Sequence, residues 1–265
     1  MGVVIVIPAR YDSTRFPGKP LVMLRGATGV SRSLIERTWN AAKLVRGIDR
    51  VVIATYDGRI AAASHGFGAE VLLTSANCQN GTERCAEALD QLSDAEIIVN
   101  LQGDAPLTPP WFVESLVEAM AKSPEMKVAT PVLRCDAATL NTFLEDRGNH
   151  RVGGTTAVFD LQGTALYFSK EVVPYVGRQF AANEMTPVFH HVGVYAYRKD
   201  ALARYRVWPT GNLEKWEGLE QLRFIENGCA VNCVEVAALG KVFWELNNPV
   251  DVPRIESILL AQGQV

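Results

Sequence analysis

Two adjoining stretches near the start of the chain decide the fold: VVIVI, Val3–Ile7, and PARYDSTRFPGKPL, Pro8–Leu21. The first is a continuous apolar, β-branched run, which is typical of a strand covered on both faces of a parallel sheet. The second carries Arg10, Arg15 and Lys19 within ten residues and contains three prolines and a glycine. Because ligands of an open parallel sheet bind beyond the carboxyl ends of its strands, these cations are well placed to meet an anion.

The composition of this loop favours a triphosphate. Backbone N–H groups and fixed cations can surround the anion together, and the prolines restrict the loop. The loop is neither a Walker A motif, since GxxxxGK[ST] is absent, nor a dinucleotide fingerprint, since GxGxxG is absent. The alternative is a solvated charged loop. Three cations in a rigid loop directly after the first strand favour phosphate binding.

The rest of the chain predicts an α/β fold: an open, mostly parallel sheet with helices on both faces. In the first half, strands and helices alternate, which favours βαβ units; the predicted strands are Arg50–Thr55 and Glu96–Leu101, and the predicted helices Ser31–Val45, Gly81–Leu92 and Trp111–Ala121. In the second half the strands are shorter, at Ala157–Asp160, Ala165–Ser169 and His191–Tyr197, with helices at Leu213–Glu226 and Val250–Leu260. We expect one domain, 1–265, with a small β-rich insertion at about 135–210, and a mobile loop at Glu145–Gly154.

Composition excludes several classes of protein. The chain has 265 residues, a formal net charge of −3 and 48% hydrophobic residues. The near-neutral charge argues against nucleic-acid binding. No apolar run approaches the roughly 20 residues that span a bilayer, and VVIVI is too short for a signal peptide, so we expect no membrane insertion and a cytoplasmic location. The five cysteines include no CxxC, and Cys229 and Cys233 are interpreted as small buried residues rather than a metal or redox pair.

Together with the opening loop, five further segments resemble the motifs of one known protein family. They are NGTER (Asn80–Arg84), NLQGDAP (Asn100–Pro106), ALYFS (Ala165–Ser169), HVGVYAYR (His191–Arg198) and EGLEQLR (Glu217–Arg223). In this order, and over most of the chain, they resemble the signature of the 3-deoxy-manno-octulosonate cytidylyltransferases, the CMP-Kdo synthetases. None of the segments is specific alone, but the set is.

The resemblance implies a Rossmann-like nucleotidyltransferase that binds CTP and an acidic sugar. It implies catalytic roles for Arg10, Lys19 and Asp104. The nucleotide-binding residues would be Pro8, Ala9, Arg10, Arg15, Lys19, Gly81, Thr82 and Arg84, and the substrate-binding residues Gln102, His191, Tyr195, Glu217 and Gln221. The insertion would bind sugar and form a homodimer, and the product would serve lipopolysaccharide biosynthesis.

A metal ion is implied by the same resemblance, with Asp104 and the position of Asn247 as its ligands. Asp104 follows a predicted strand, and hard cations such as Mg²⁺, with Mn²⁺ as the alternative, prefer oxygen ligands. The implied reaction is displacement: a sugar oxygen attacks the α-phosphate of CTP, and pyrophosphate leaves. Positioning and charge neutralisation then suffice for catalysis.

Three departures from the family pattern leave alternatives open. Asn247 replaces an aspartate in the family's DTP-like turn, which removes a charge from the second metal position, and Tyr56 replaces an aspartate that follows the second strand. The third is the segment VGGTTAV at 152–158, which corresponds to a VKVV segment of the family but lacks its lysine. Asp251, four residues after Asn247, is interpreted as a helix-dipole residue. The same chemistry on a modified ulosonic acid, or a CTP- or sugar-binding homologue that has lost catalysis, therefore remain alternatives to an active CMP-Kdo synthetase.

Overall fold

The computed structural model describes residues 2–13, 15–152, 154–182 and 184–264, and the chain divides into two compact units. The first consists of Met1–Glu114 and Ala238–Val265, and the second of Ser115–Ala237. The predicted insertion at about 135–210 falls within the second unit.

The first unit is built on four parallel strands. Its elements, in chain order, are β1 (Val3–Pro8), β2 (Met23–Arg25), β3 (Ser31–Ser33), α1 (Leu34–Lys43), β4 (Arg50–Thr55), α2 (Gly58–Gly66), β5 (Glu70–Leu73), α3 (Gly81–Ala88), β6 (Ile97–Leu101), the start of α4 (Pro110–Lys122) and, after the second unit, α9 (Asp251–Ala261), with 3₁₀ turns at Lys19–Leu21 and Leu89–Gln91. The parallel strands lie in the order β5-β4-β1-β6. This is the order of a doubly wound fold, and it confirms the predicted α/β class with a parallel core.

The strand order fixes where a ligand binds. The direction in which successive strands are added to the sheet reverses at β1, because β4 and β5 extend the sheet on one side of β1 and β6 lies parallel to it on the other. Such a switch point opens a crevice at the carboxyl ends of the two strands. The loop after β1 and the QGD segment, Gln102–Asp104, both leave the sheet there.

The core of the first unit is assembled from both of its chain segments. All six residues of β1 are buried, as the VVIVI pattern predicts. A second cluster joins Leu24 and Leu34 from the N-terminal segment to Leu246 and Leu259 from the C-terminal one. Burial at these positions anchors α9 and the segment before it beside the opening loop.

The second unit is largely antiparallel. Its elements are the remainder of α4, then β7 (Val128–Asp136), α5 (Ala137–Gly148), β8 (Thr155–Phe159), β9 (Ala165–Ser169), β10 (Met185–His191), β11 (Val194–Arg198), α6 (Lys199–Tyr205), α7 (Asn212–Glu217), α8 (Leu222–Glu226) and β12 (Val231–Glu235). Strand β7 pairs antiparallel with β10 and β11 and parallel with β12, and β8 pairs antiparallel with β9 and β10. The predicted β-rich character of this region is confirmed.

Two predicted helices have different boundaries. The helix predicted over Ser31–Val45 begins at Leu34, because Ser31–Ser33 pairs with Met23–Arg25 and the Ser33 hydroxyl accepts a hydrogen bond from Glu36 N at 3.3 Å. Ser33 is therefore the N-cap of α1. The helix predicted over Leu213–Glu226 is two helices, because Gly218 adopts φ +62° and ends α7.

Two other predictions for the second half are wrong. The loop predicted at Glu145–Gly154 begins as the last turn of α5, which Asp136 caps by accepting a hydrogen bond from Thr139 N at 2.8 Å; Gly153 lies outside the described residues. The strand predicted over His191–Tyr197 is the end of β10 and most of β11, because the chain turns between them so that both can pair with β7.

The cysteines and helices agree with the compositional analysis. All five cysteines, each in a described segment, are free thiols, and burial raises the pKa of Cys233 to about 12. Among the described helices, none has the length and apolarity needed to cross a bilayer.

Candidate active site

An ion pair lies at the switch point. Lys19 Nζ is 2.5 Å from Asp104 Oδ2, and the two side chains are only 13% and 24% exposed. Lys19 opens the 3₁₀ turn at the end of the cationic loop, and Asp104 follows β6. The fold thus brings together the predicted phosphate-binding lysine and the predicted metal-binding carboxylate.

The cationic loop is held in one conformation. Gly18 has φ +72°, and its N–H donates to Tyr11 O at 3.0 Å. A Cβ at Gly18 would lie 3.1 Å from the Tyr11 ring, so both the backbone angle and the close approach require glycine. The Arg59 guanidinium lies over the Tyr11 ring, 3.3 Å from its centroid. Thr14, inside this loop, lies outside the described residues.

Tyr56, the second departure from the family pattern, also braces this loop. Its hydroxyl donates to Asp12 Oδ2 at 2.5 Å. Burial, and next the hydrogen bond to Asp12, raise the pKa of Tyr56. The hydroxyl therefore stays protonated and keeps its donor role, and the end of β4 is tied to the loop after β1.

The two arginines of the loop are exposed and carry single hydrogen bonds. Arg10 Nη1 donates to Gln79 O at 3.2 Å, and Arg15 Nη2 donates to Asn247 Oδ1 at 3.5 Å. Such long bonds leave guanidinium donors for an anion. Pro8 and Ala9, the other predicted residues of this loop, are buried, so they can offer a ligand their backbone only.

The segment that contains Asn247 passes directly beside Asp104. Leu246 N donates to the backbone oxygen of Asp104 at 2.9 Å, and the Leu246 side chain is fully buried in the core. Its neighbours Glu245 and Asn247 are partly exposed, and the Glu245 carboxylate accepts a hydrogen bond from the Asn247 side chain. Burial, and next the Asp104 carboxylate, raise the pKa of Glu245 to about 7, against the opposing influence of Lys19 and Arg15.

Asp251 holds the turn that follows. Its Oδ2 accepts hydrogen bonds from Asn247 N at 3.0 Å and Asn248 N at 2.7 Å, and its Oδ1 accepts one from Trp244 Nε1 at 3.2 Å. The carboxylate is thus occupied by turn-forming donors at the start of α9. It serves the turn as well as the predicted helix dipole.

A second polar group surrounds the start of α3. Gln102 Nε2 donates to Asn100 Oδ1 at 3.2 Å, and within the described part of the chain Asn100 Nδ2 is buried without a hydrogen-bond partner. A Cβ at Gly81 would lie 2.7 Å from Gln102 Nε2, so glycine allows this glutamine its position. Thr82 is fully buried in the first turn of α3.

Arg84 is buried and hydrogen-bonded within the protein. It is 2% exposed, and its Nη1 donates to Thr74 Oγ1 at 2.5 Å and to Ser75 O at 3.1 Å. The guanidinium therefore fixes the segment after β5 to α3. Its predicted contact with the nucleotide is untested.

The second unit contains the remaining predicted substrate residues. Tyr195 Oη donates to Gln221 Oε1 at 3.0 Å, and Gln221 Nε2 is buried without a hydrogen-bond partner among the residues that the structure describes. Glu217 accepts three hydrogen bonds, from Ser169 Oγ at 2.7 Å, Lys170 N at 2.9 Å and Tyr167 Oη at 3.3 Å. Glu217 is therefore fixed, and Gln221 has a donor to spare.

His191 has the contacts of a core residue. It is 6% exposed, and its Nε2 lies 2.9 Å from Thr130 Oγ1. The Thr130 hydroxyl has one hydrogen and lies 2.8 Å from Val194 O, an acceptor, so the hydroxyl oxygen can accept from Nε2–H. Burial, and next the neighbouring His190, lower the pKa of His191 to about 3, and burial lowers that of His190 to about 4. Both imidazoles are neutral at physiological pH.

Glu245 is not among the site residues predicted from the sequence motifs. The residue precedes the Asn-Asn-Pro turn in the sequence FWELNNP, and an acidic side chain so close to a position expected to bind metal was the available signal. A cavity of about 470 Å³ elsewhere in the first unit, lined by Leu44, Trp111 and Lys241 among others, includes no predicted site residue.

Comparison with known proteins connects this geometry to one family. A family model described as Cytidylyltransferase matches residues 4–236. The 3-deoxy-manno-octulosonate cytidylyltransferase of Maricaulis maris is 41% identical over 266 residues, covering 100% of both chains. The enzyme of the same name from Syntrophotalea carbinolica is 40% identical, covering 98% of this chain and 99% of its own.

Solved structures agree in fold. The structure of CMP:2-keto-3-deoxy-manno-octonic acid synthetase complexed with CTP superposes with a TM-score of 0.83 at 33% identity, covering 99% of each chain. The structure of 4-diphosphocytidyl-2C-methyl-D-erythritol synthase, at 12% identity and a TM-score of 0.58, shares the fold alone.

Proposed function

Because the chain belongs to the family of 3-deoxy-manno-octulosonate cytidylyltransferases, we propose that it transfers CMP from CTP to 3-deoxy-manno-octulosonate. It is a cytidylyltransferase, and its product belongs to lipopolysaccharide biosynthesis. In the reaction a sugar hydroxyl loses its proton and its oxygen bonds to the α-phosphorus. The bond from that phosphorus to the bridging oxygen breaks, and pyrophosphate leaves with the electron pair. The observation that carries the proposal is the cationic loop with Lys19 against Asp104 at the switch point.

The loop after β1 is proposed to bind the triphosphate. Arg10 and Arg15 are exposed cations with long hydrogen bonds, and Lys19 is paired with Asp104. Neutralising the charge that develops on the leaving pyrophosphate lowers the barrier without a protein nucleophile. Because the loop is braced through Gly18 and Tyr56, little reorganisation is needed when the nucleotide binds.

A divalent cation, Mg²⁺ or Mn²⁺, fits the donors beside this loop. Mg²⁺ is usually bound by one or two carboxylates together with substrate phosphates, and Asp104 supplies a partly exposed carboxylate at the carboxyl end of β6. When bound, such a cation neutralises phosphate charge and orients the α-phosphate. Asp104 is proposed as its principal ligand, and Asn247 is a neutral oxygen donor at the second predicted position.

Gln102 is proposed to contact the acceptor sugar, and Gln221 of the second unit is a separate candidate for such a contact. A buried donor without a partner costs about 1–3 kcal/mol, which a ligand acceptor would recover. Gln221 Nε2 is such a donor, and Tyr195 orients it by bonding to its oxygen. A polyhydroxylated acid offers many acceptors for this group. For the contacts predicted at Glu217 and His191 there is less support, since the Glu217 carboxylate and His191 Nε2 already have protein partners.

Pyrophosphate release from CTP, measured with a panel of ulosonic acids and either Mg²⁺ or Mn²⁺, tests the function. We expect turnover with 3-deoxy-manno-octulosonate. Turnover only with an amino-substituted or otherwise modified acid would favour the alternative acceptor. Binding of CTP without release of pyrophosphate for any acceptor would mean that catalysis has been lost.

Two further expectations accompany this proposal. The homodimer is tested by light scattering in solution, and a monomer at micromolar concentration would contradict it. The cytoplasmic location remains a prediction from the sequence.

A further inference from the structure

Asn247 presents a difficulty for the proposed metal site. An amide holds a hard cation more weakly than a carboxylate does, because it has no charge. A carboxylate lies two residues before it in the chain. We propose that the second metal-binding side chain is the Glu245 carboxylate rather than the Asn247 amide, and that Glu245 acts with Asp104. The inference rests on the proposed function, since it concerns the cation of the same reaction.

The backbone directs Glu245 to the site. Leu246 is fixed twice, by its N–H bond to Asp104 O at 2.9 Å and by its buried side chain in the core. The residues on either side of it must therefore lie beside Asp104.

Asn247 has the contacts of a positioning residue. Its Oδ1 accepts from Arg15 Nη2 at 3.5 Å, and its side chain also hydrogen-bonds to the Glu245 carboxylate. The amide thus links the cationic loop to Glu245. An aspartate could accept from Arg15 but would have no N–H for Glu245, so Asn247 and Glu245 form a matched pair.

The donor chemistry fits a cation better with Glu245 than without it. Two carboxylates beside a triphosphate are the usual protein share of a Mg²⁺ site, and phosphate oxygens and water supply the other ligands. The Asp104 carboxylate already forms an ion pair with one cation, the Lys19 ammonium. Glu245 gives the site a second negative charge, which offsets the charge lost at Asn247.

Mn²⁺ binding, measured by electron paramagnetic resonance, provides a test independent of turnover. The protein is titrated with Mn²⁺ alone, and then with Mn²⁺ and a CTP analogue that has a methylene between the α- and β-phosphorus, without acceptor. We compare the parent with Glu245→Gln, Asn247→Asp, Glu245→Gln/Asn247→Asp and Asp104→Asn. Glu125→Gln, an exposed residue of the other unit, controls for net charge. Thermal unfolding verifies that each variant is folded.

We expect Glu245→Gln to raise the Kd for Mn²⁺ at least about tenfold, or ~1.4 kcal/mol, and the double variant to recover most of that loss. Glu125→Gln should bind like the parent. Parent-like affinity in Glu245→Gln, with weakened binding in Asp104→Asn, would overturn this inference and leave the proposed function standing. Unchanged affinity in Asp104→Asn would instead contradict the proposed metal site itself.

If Glu245→Gln does not fold, Glu245→Asp replaces it. This variant keeps the charge and withdraws the carboxylate by one methylene. A ligand moved in this way must bind Mn²⁺ more weakly, so parent-like affinity in Glu245→Asp also overturns the inference.

Discussion

Lys19 Nζ is hydrogen-bonded to Asp104 Oδ2 at 2.5 Å, so the ammonium of one predicted catalytic residue occupies an oxygen of the other. If Asp104 binds a divalent cation, as proposed, that cation must compete with Lys19 in the nucleotide-free protein. A triphosphate bound by the loop would offer Lys19 alternative oxygen partners and remove this competition. Under the proposed function, the pair would then couple nucleotide binding to metal binding.

Replacing Lys19 with alanine should change two quantities in opposite directions. Turnover of CTP should fall at least about tenfold, which is ~1.4 kcal/mol of barrier, because a phosphate-binding charge is lost. Mn²⁺ binding without nucleotide should become tighter, because the competing ammonium is gone. Pyrophosphate release and calorimetric titration measure the two effects, with the exposed Lys122→Ala as control. Parent turnover in Lys19→Ala would disprove the phosphate assignment.

Asp104→Asn should abolish activity without unfolding the protein. Its side chain is partly exposed, and the bond that anchors Leu246 uses the backbone oxygen, which the substitution retains. We expect at least a hundredfold loss of turnover, or about 2.7 kcal/mol, with a melting temperature close to the parent value. An active variant with unchanged metal dependence would contradict the role of Asp104.

Gly81→Ala should impair substrate binding more than stability. The new Cβ would lie 2.7 Å from Gln102 Nε2, so the glutamine must move. We expect KM for the sugar to rise by about tenfold, ~1.4 kcal/mol, with a smaller change for CTP. Gly58→Ala is a matched control, because Gly58 is also the first residue of a helix and a Cβ there has no atom within 4 Å. Equal kinetic constants in the two variants would show that Gln102 does not contact the sugar.

Glu214→Gln should destabilise the second unit. Arg223 donates to both carboxylate oxygens of Glu214, at 2.6 and 2.7 Å, and the two side chains are 3% and 7% exposed. Removing one charge leaves the other buried, at a cost of about 3–5 kcal/mol. Glu235→Gln breaks the exposed pair with Arg134 and should cost less than about 1 kcal/mol. Urea unfolding that ranks these two variants equally would rule out a buried ion pair.

Acidification should destabilise the protein through its adjacent buried histidines. The folded pKa values, about 4 for His190 and about 3 for His191, lie below the ordinary value of 6.5. Below pH 6.5 the unfolded chain therefore binds protons that the folded chain does not, and stability falls as the pH drops toward 4. Each histidine contributes up to about 1.4 kcal/mol per pH unit.

Melting temperatures of the parent and His191→Gln, compared between pH 7 and pH 4.5, check this expectation. Acidification should lower the melting temperature of the variant by fewer degrees than that of the parent. The exposed His65→Gln should follow the parent. An identical pH dependence in all three proteins would mean that His191 titrates like a solvated histidine.

Local patterns were sufficient for the parallel core of the fold. Strand β1 is buried on both faces, and a continuous run of β-branched residues indicates such burial directly. The start of α1 was less certain, because Ser31 and Ser33 are equally good caps in sequence. Only pairing with β2 selects Ser33, and such pairing depends on residues distant in the chain. The antiparallel strands of the second unit depended on the same kind of information.

The candidate site was predictable where one segment carries the chemistry. The loop Pro8–Leu21 contains its cations, prolines and glycine together, so its character is visible in the sequence. Glu245 was not, because its position depends on a bond between Leu246 and Asp104, 142 residues apart in the numbering of the chain. The burial of His191 and its bond to Thr130 likewise arise only from the assembled sheet.

The first unit is interrupted in the chain, and this affects how the protein is made. Its N-terminal segment leaves the ribosome before the whole of Ser115–Ala237, which is contiguous, whereas Leu246 and Leu259 of its core emerge afterwards. Because domains fold as units during synthesis, the contiguous unit can fold while the first still lacks part of its interior. Glu245 and Asn247 lie in this late segment. Translation therefore delivers the residues beside Asp104 last, and a nascent chain that stops near position 237 would contain every cation of the opening loop but neither Glu245 nor Asn247.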